Sequence, residues 1–197
     1  MKKSKQLSLL KPTVRFFGGI LLHSRRKGVR PLSTREPIHL VMRSSWAYGA
    51  TSFLLVKNRP VIERLLRSTA KAYGIKVYRQ AIVQNHLHLV IKIPHRPAYK
   101  KFIRVFSSQV ASHVMLSQSF KIFKKLQREK ARGDALPADT EIQGKGQAFW
   151  QMRPWTRVIT WGRDFRQTCT YVTKNTLEAL GFIPFTPRVR ARRRTPI

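Results

Sequence analysis

His86 and His88 stand two apart in residues 86–93, where alternating apolar residues predict a β-strand. Side chains alternate across a strand. Both imidazoles therefore share one face, and Leu87, Leu89, Ile91 and Ile93 point to the other, into a core. Two imidazoles on one face can share a divalent ion; taken alone, the pair reads rather as two half-exposed strand histidines in ordinary hydrogen bonds. A second set lies near the end of the chain, where residues 164–180 have helical spacing. Phe165, Cys169, Val172, Thr176 and Ala179 form its packing stripe. Tyr171, Asn175 and Glu178 fall at i, i+4 and i+7 on a different, polar stripe. A tyrosine there, one turn before an amide, is not placed like a core residue. The plainer alternative is an amphipathic surface tyrosine.

Other side chains carry less. His39 lies on the first predicted strand and reads as a structural histidine, while His23, His95 and His113 have no partner at ligand spacing. Cys169, two residues before Tyr171, faces away from it and packs. Trp46, Trp150, Trp155 and Trp161 could stack on bases, although core or rim is the ordinary fate of a tryptophan. Arg153 and Arg157, near the last predicted strand, could hold phosphates; solvated charge is the alternative. No Gly-rich loop cradles a nucleotide phosphate, so no nucleotide cofactor is expected.

The elements that must position these groups follow from the same patterning. Residues 37–45 read as a strand. Asn58-Arg59-Pro60 starts a helix, with Asn58 as its cap and Pro60 in the first turn, and Val61, Leu65, Leu66 and Ala72 as its stripe before Gly74. Residues 75–82 and 86–93 read as two strands turned at Gln84-Asn85, and Pro94 and Pro97 close the second. Residues 100–116 are helical through Phe102, Ile103, Phe106, Val110 and Val114. The polar stretch 117–146, with Gly133, Pro137, Gly144 and Gly146, reads as a flexible insertion. Residues 155–161 supply the last strand before the Tyr171 helix, which Gly181 stops. The order β-α-β-β-α-β-α predicts an α+β fold, an antiparallel sheet of ferredoxin-like type with helices, in one domain over 37–183. A basic arm (1–36) precedes it and a basic tail (184–197) follows.

Charge bounds the partner. The 197 residues carry 40 Lys plus Arg against 8 Asp plus Glu, a formal net charge of +32, which calls for a polyanion. No apolar run of membrane-spanning length occurs. The short apolar stretch 16–22, flanked by Arg15 and by Arg25, Arg26 and Lys27, does not read as a signal peptide. A single cysteine forms no internal disulfide, so a cytoplasmic, reducing location is the default. Arg25, Arg26 and Lys27 in the arm, and Arg192, Arg193 and Arg194 in the tail, read as segments that lie along phosphates.

Taken together, the motifs resemble a known family. Asn85-His86-Leu87-His88-Leu89-Val90 is similar to the HUH motif, in which U is hydrophobic. Tyr171-Val172-Thr173-Lys174-Asn175 is similar to the tyrosine motif of single-tyrosine HUH transposases. Arg30-Pro31-Leu32-Ser33 before Pro37-Ile38-His39-Leu40-Val41, and Phe149-Trp150-Gln151 before Arg157-Val158, resemble the REP-associated tyrosine transposase branch. The resemblance spans residues 30–181 apart from the insertion. It implies a metal-dependent enzyme that cuts and rejoins single-stranded DNA at hairpin-forming repeats through a 5′-phosphotyrosine. It further implies Tyr171 as nucleophile, His86 and His88 as ligands of Mg²⁺ or Mn²⁺, and Asn175 as the helix ligand, with Glu178 as a fallback. Such enzymes work as monomers or homodimers in the bacterial cytoplasm. The competing reading is a non-catalytic nucleic-acid-binding protein, decayed or domesticated, whose composition would look the same. A replication initiator or relaxase would share the chemistry but usually in a longer chain.

Overall fold

The computed structural model describes residues 15–18, 29–131, 148–151 and 153–186; of 117–131 it describes the backbone alone. The elements are β1 (Phe16–Phe17), β2 (Ile38–Arg43), α1 (Arg59–Ala72), β3 (Lys76–Ile82), β4 (His86–Lys92), α2 (Arg96–Ala131), β5 (Trp155–Val158) and α3 (Arg163–Ala179). The five strands form one antiparallel sheet in the order β1-β5-β2-β4-β3. Without the edge strand β1, this is the expected ferredoxin-like arrangement, with β2 and β4 central.

Alternation along β2 and β4 decides what each face meets. Ile38, Leu40 and Met42 of β2, with Leu87, Leu89 and Ile91 of β4, are sealed in the larger core together with Ile62 and Leu66 of α1. From α2, Phe102, Phe106, Val110 and Val114, spaced by four, complete it. The residues in between, His39, Val41, His86, His88 and Val90, must then face the other way. There a smaller cluster of Ala81, Val90, Ile159 and Val172 seats α3 on the sheet. The molecule is therefore three-layered: α1 and α2, the sheet, then α3.

Several local expectations change. Asn58 does not cap α1: its backbone is helical, and its fully buried amide donates to the Ser52 carbonyl at 2.8 Å instead. The buried stripe of α1 is Ile62, Leu66, Thr69 and Ala70, so Val61 and Ala72 lie off its centre. The helix expected to end near residue 116 continues to Ala131, so the first half of the expected insertion is helical; residues 132–147 lie outside the described set. A polar composition does not oppose a helix where long charged side chains dominate.

The expected N-terminal arm also contributes to the sheet. Phe16 and Phe17 pair with Arg157 and Thr156. Gly18 follows with φ 97°, and a Cβ there would lie 2.2 Å from the Pro154 carbonyl oxygen, so only glycine fits. Arg30 then donates to the Pro154 carbonyl at 2.7 Å and to Thr156 Oγ1 at 2.9 Å, with its guanidinium 4.4 Å from the centre of the Phe17 ring. Burial lowers its pKa, and burial also pushes the neighbouring Tyr99 phenol up to about 12. Arg25, Arg26, Lys27, Arg192, Arg193 and Arg194 lie outside the described residues. Among the described residues no helix is long and apolar enough to cross a membrane.

Candidate active site

β4 is central, so its outward face is covered, and it carries both histidines under α3. The His86 and His88 rings lie 4.8 Å apart, edge to face at 76°. Tyr171, from α3, sets its ring edge-on to His88 at 5.6 Å between centroids. The residues that sequence spacing brought together thus meet in space. Their setting is buried. The stripe of Tyr171, Asn175 and Glu178 is turned to the sheet rather than to solvent: Asn175 is 6% exposed and the Glu178 side chain 5%. A polar helical stripe ordinarily marks a solvated face. Here the sheet beneath is itself polar, because it presents histidines, and so a polar stripe can be buried against it.

Hydrogen bonds fix the groups around the tyrosine. The Asn175 amide donates to the Tyr171 carbonyl at 2.8 Å, which directs its nitrogen along the helix. Glu178 lies 3.7 Å from Lys174. Asn85 Oδ1 stands 2.8 Å from His86 Nδ1, while the Asn85 amide nitrogen donates to the Tyr48 hydroxyl.

His39, set aside on sequence, belongs to this site. Its Nε2 is 3.2 Å from His88 Nδ1, and its ring is edge-on to Tyr171 at 5.9 Å. Burial first, and then the nearby Arg157 guanidinium, push its pKa down to about 4 against the opposing pull of Asp164. A signal existed: once Ile38, Leu40 and Met42 are taken as core, His39 must share the face of His88 on the neighbouring strand. Asn85, Asp164 and Gln167 carried no comparable signal.

A cavity of about 590 Å³ opens beside the tyrosine, lined by His39, His88, Trp155, Arg157, Gln167 and Tyr171 among others. Arg157 is held by Asp164 at 2.9 Å and by Thr168 at 2.9 Å, whereas Arg153 is exposed. Of the tryptophans only Trp155 lines this cavity. Trp150 donates to the Ser107 carbonyl, Trp161 donates to the Arg35 carbonyl, and Trp46 packs on the larger core. His95 accepts from the Ala98 amide at the start of α2, His113 belongs to α2 on the opposite layer, and His23 lies outside the described residues. Cys169 packs in the smaller cluster, as expected, and burial raises its pKa.

The donor chemistry suits a divalent cation: two imidazoles, with an amide on the overlying helix. Among the described residues no group of three His, Cys, Asp or Glu could hold a metal ion.

Residues 38–132 match the family model described as transposase, IS200-like. The match runs from β2 to the end of α2 and includes His39, His86 and His88; Tyr171 lies beyond it. No curated protein matches the chain. Among the solved structures similar to it are the following two. One is a REP-associated tyrosine transposase bound to a REP hairpin (13% identity, TM-score 0.47, covering 80% of this chain and 76% of that one). The other is described as a putative transposase from Deinococcus radiodurans R1 (15% identity, TM-score 0.37, 76% of this chain and 97% of that one).

Proposed function

We propose that the chain, whose residues 38–132 match the IS200-like transposase family model, cleaves and rejoins single-stranded DNA, with Tyr171 as the nucleophile. The observation that carries this reading is the placement of the Tyr171 ring against His88, under a helix that also buries Asn175. A tyrosine chosen for packing alone does not require two histidines and an amide around it.

His86 and His88, with Asn175, would hold Mg²⁺ or Mn²⁺. When bound, that ion offsets charge developing on the scissile phosphate. Tyr171 Oη attacks phosphorus, the bond from phosphorus to the 3′ oxygen breaks, and the phenolic proton is passed on to that leaving oxygen. A 5′-phosphotyrosine and a free 3′-hydroxyl result. Attack by a 3′-hydroxyl on the phosphotyrosine reverses the step and returns the proton to the phenol. The covalent link retains the phosphodiester energy, so rejoining requires no nucleotide. The excess of cations supplies affinity along the phosphates. The relative bound to a REP hairpin makes hairpin-forming repeats the first substrates to test. Labelled hairpin DNA incubated with the protein and Mn²⁺ should yield an adduct that survives denaturing electrophoresis. Tight binding with no adduct on any hairpin, with either metal, would identify a binding protein instead.

A further inference from the structure

We infer that His39 and Asn85 are positioning residues that hold His88 and His86 in one tautomer, with the proton on Nδ1, so that each ring meets a cation through Nε2. The inference rests on the metal-dependent reading above. At His86 the direction follows from the orientation of the Asn85 amide. Asn85 Oδ1 can only accept, so the His86 nitrogen 2.8 Å from it must carry the proton. In this orientation the Asn85 NH₂ group donates to the Tyr48 hydroxyl and leaves Oδ1 to His86. At His88, Nδ1 faces His39 Nε2 at 3.2 Å, and one proton lies between them. A ring that gives Nε2 to a cation keeps its proton on Nδ1 and donates it to His39. His39 then accepts on Nε2 and carries its own proton on Nδ1. Both positioning residues are buried, at 6% and 8% exposure, where a fixed hydrogen bond is not exchanged for water. His39 meets His88 directly, ring nitrogen to ring nitrogen, and so acts through it.

The test is the nitrogen NMR of the imidazoles in the metal-free, full-length protein near pH 7.5. The wild type should show both His86 and His88 protonated on Nδ1, against the preference of a free imidazole. His39→Phe should return His88 to the Nε2-protonated form and leave His86 unchanged; Asn85→Ala should do the reverse. His39→Gln keeps an acceptor oxygen and should restore His88. Mn²⁺ affinity, read from the free-ion resonance in the presence of a single-stranded oligonucleotide, should fall about 10–100-fold in His39→Phe and recover in His39→Gln. A wild-type His88 protonated on Nε2, or unchanged tautomer and Mn²⁺ affinity in His39→Phe, overturns the inference. If His39→Phe does not fold, the wild-type tautomers alone decide. Correct tautomers in a protein that never forms a DNA adduct would refute the transposase chemistry while leaving this assignment intact.

Discussion

Arg157 is joined to Asp164 twice, its Nη1 lying 2.9 Å from Oδ1 and 3.1 Å from Oδ2, and its Nη2 donates to Thr168 Oγ1 at 2.9 Å. The guanidinium on β5 therefore ties the first turns of α3, the helix that carries Tyr171, to the sheet. Its charge is matched before any phosphate arrives.

Arg157→Ala should accordingly act on folding more than on DNA. The lost ion pair and hydroxyl bond predict a destabilisation of about 1–3 kcal/mol, measurable by urea unfolding. Arg153→Ala, at an exposed position, should leave stability within about 0.5 kcal/mol and weaken DNA binding. A reversed pattern, with Arg157→Ala neutral for folding, would assign Arg157 to the phosphates.

His39 links folding to acid. Its pKa is about 4 in the fold against an ordinary 6.5, so below pH 6.5 the unfolded chain binds a proton that the folded chain refuses. This contribution to stability is intact above about pH 6.5, falls as the pH drops, and reaches about 3 kcal/mol lost below pH 4. Stability measured from pH 7.5 to 4 should fall less steeply in His39→Gln than in the wild type. Equal slopes would remove His39 from the account of acid sensitivity.

The affinity should be electrostatic. If about 6–8 phosphates are contacted, the logarithm of the affinity for single-stranded DNA should fall against the logarithm of salt with a slope of about −4 to −6. Removal of residues 188–197 should weaken binding to all sequences without abolishing cleavage. A flat salt response contradicts this part.

His86→Ala or His88→Ala should abolish Mg²⁺-dependent cleavage and leave DNA binding largely intact, because the cations of the chain, not the histidines, supply the affinity. Asn175→Ala should be milder, since water can occupy one coordination position. Filter binding and cleavage assays on the same preparations separate the two effects. Full cleavage by His88→Ala in the presence of a chelator would refute the site.

Much of this was legible in the sequence, for definable reasons. Alternation through Leu87, Leu89 and Ile91 placed His86 and His88 on one face, and helical spacing placed Tyr171 one turn from Asn175. Both are local periodicities, and both survive in the fold. The His39 to His88 contact depends on β2 lying beside β4 in register, with Val41 opposite His88, and strand neighbours are not written in spacing. The burial of Asn175 and Glu178 is not legible in helical spacing, because polarity predicts solvent only where the opposing surface is apolar. Arg30 and Arg157 look alike in composition to the other cations, yet each is engaged by carbonyl, hydroxyl or carboxylate partners distant from it in sequence or across a turn.

Tyr171→Phe tests the central claim most directly. The substitution removes one oxygen and keeps the ring that packs against His39 and His88, so folding and DNA affinity should change little. Hairpin DNA labelled downstream of the cut, incubated with Mn²⁺ and run on a denaturing gel, should give a covalent adduct with the wild type. Tyr48→Phe, Tyr73→Phe, Tyr78→Phe and Tyr99→Phe should give it as well. Tyr171→Phe should give none, because no other atom at that position can attack phosphorus. An adduct that persists in Tyr171→Phe would mean that the nucleophile lies elsewhere.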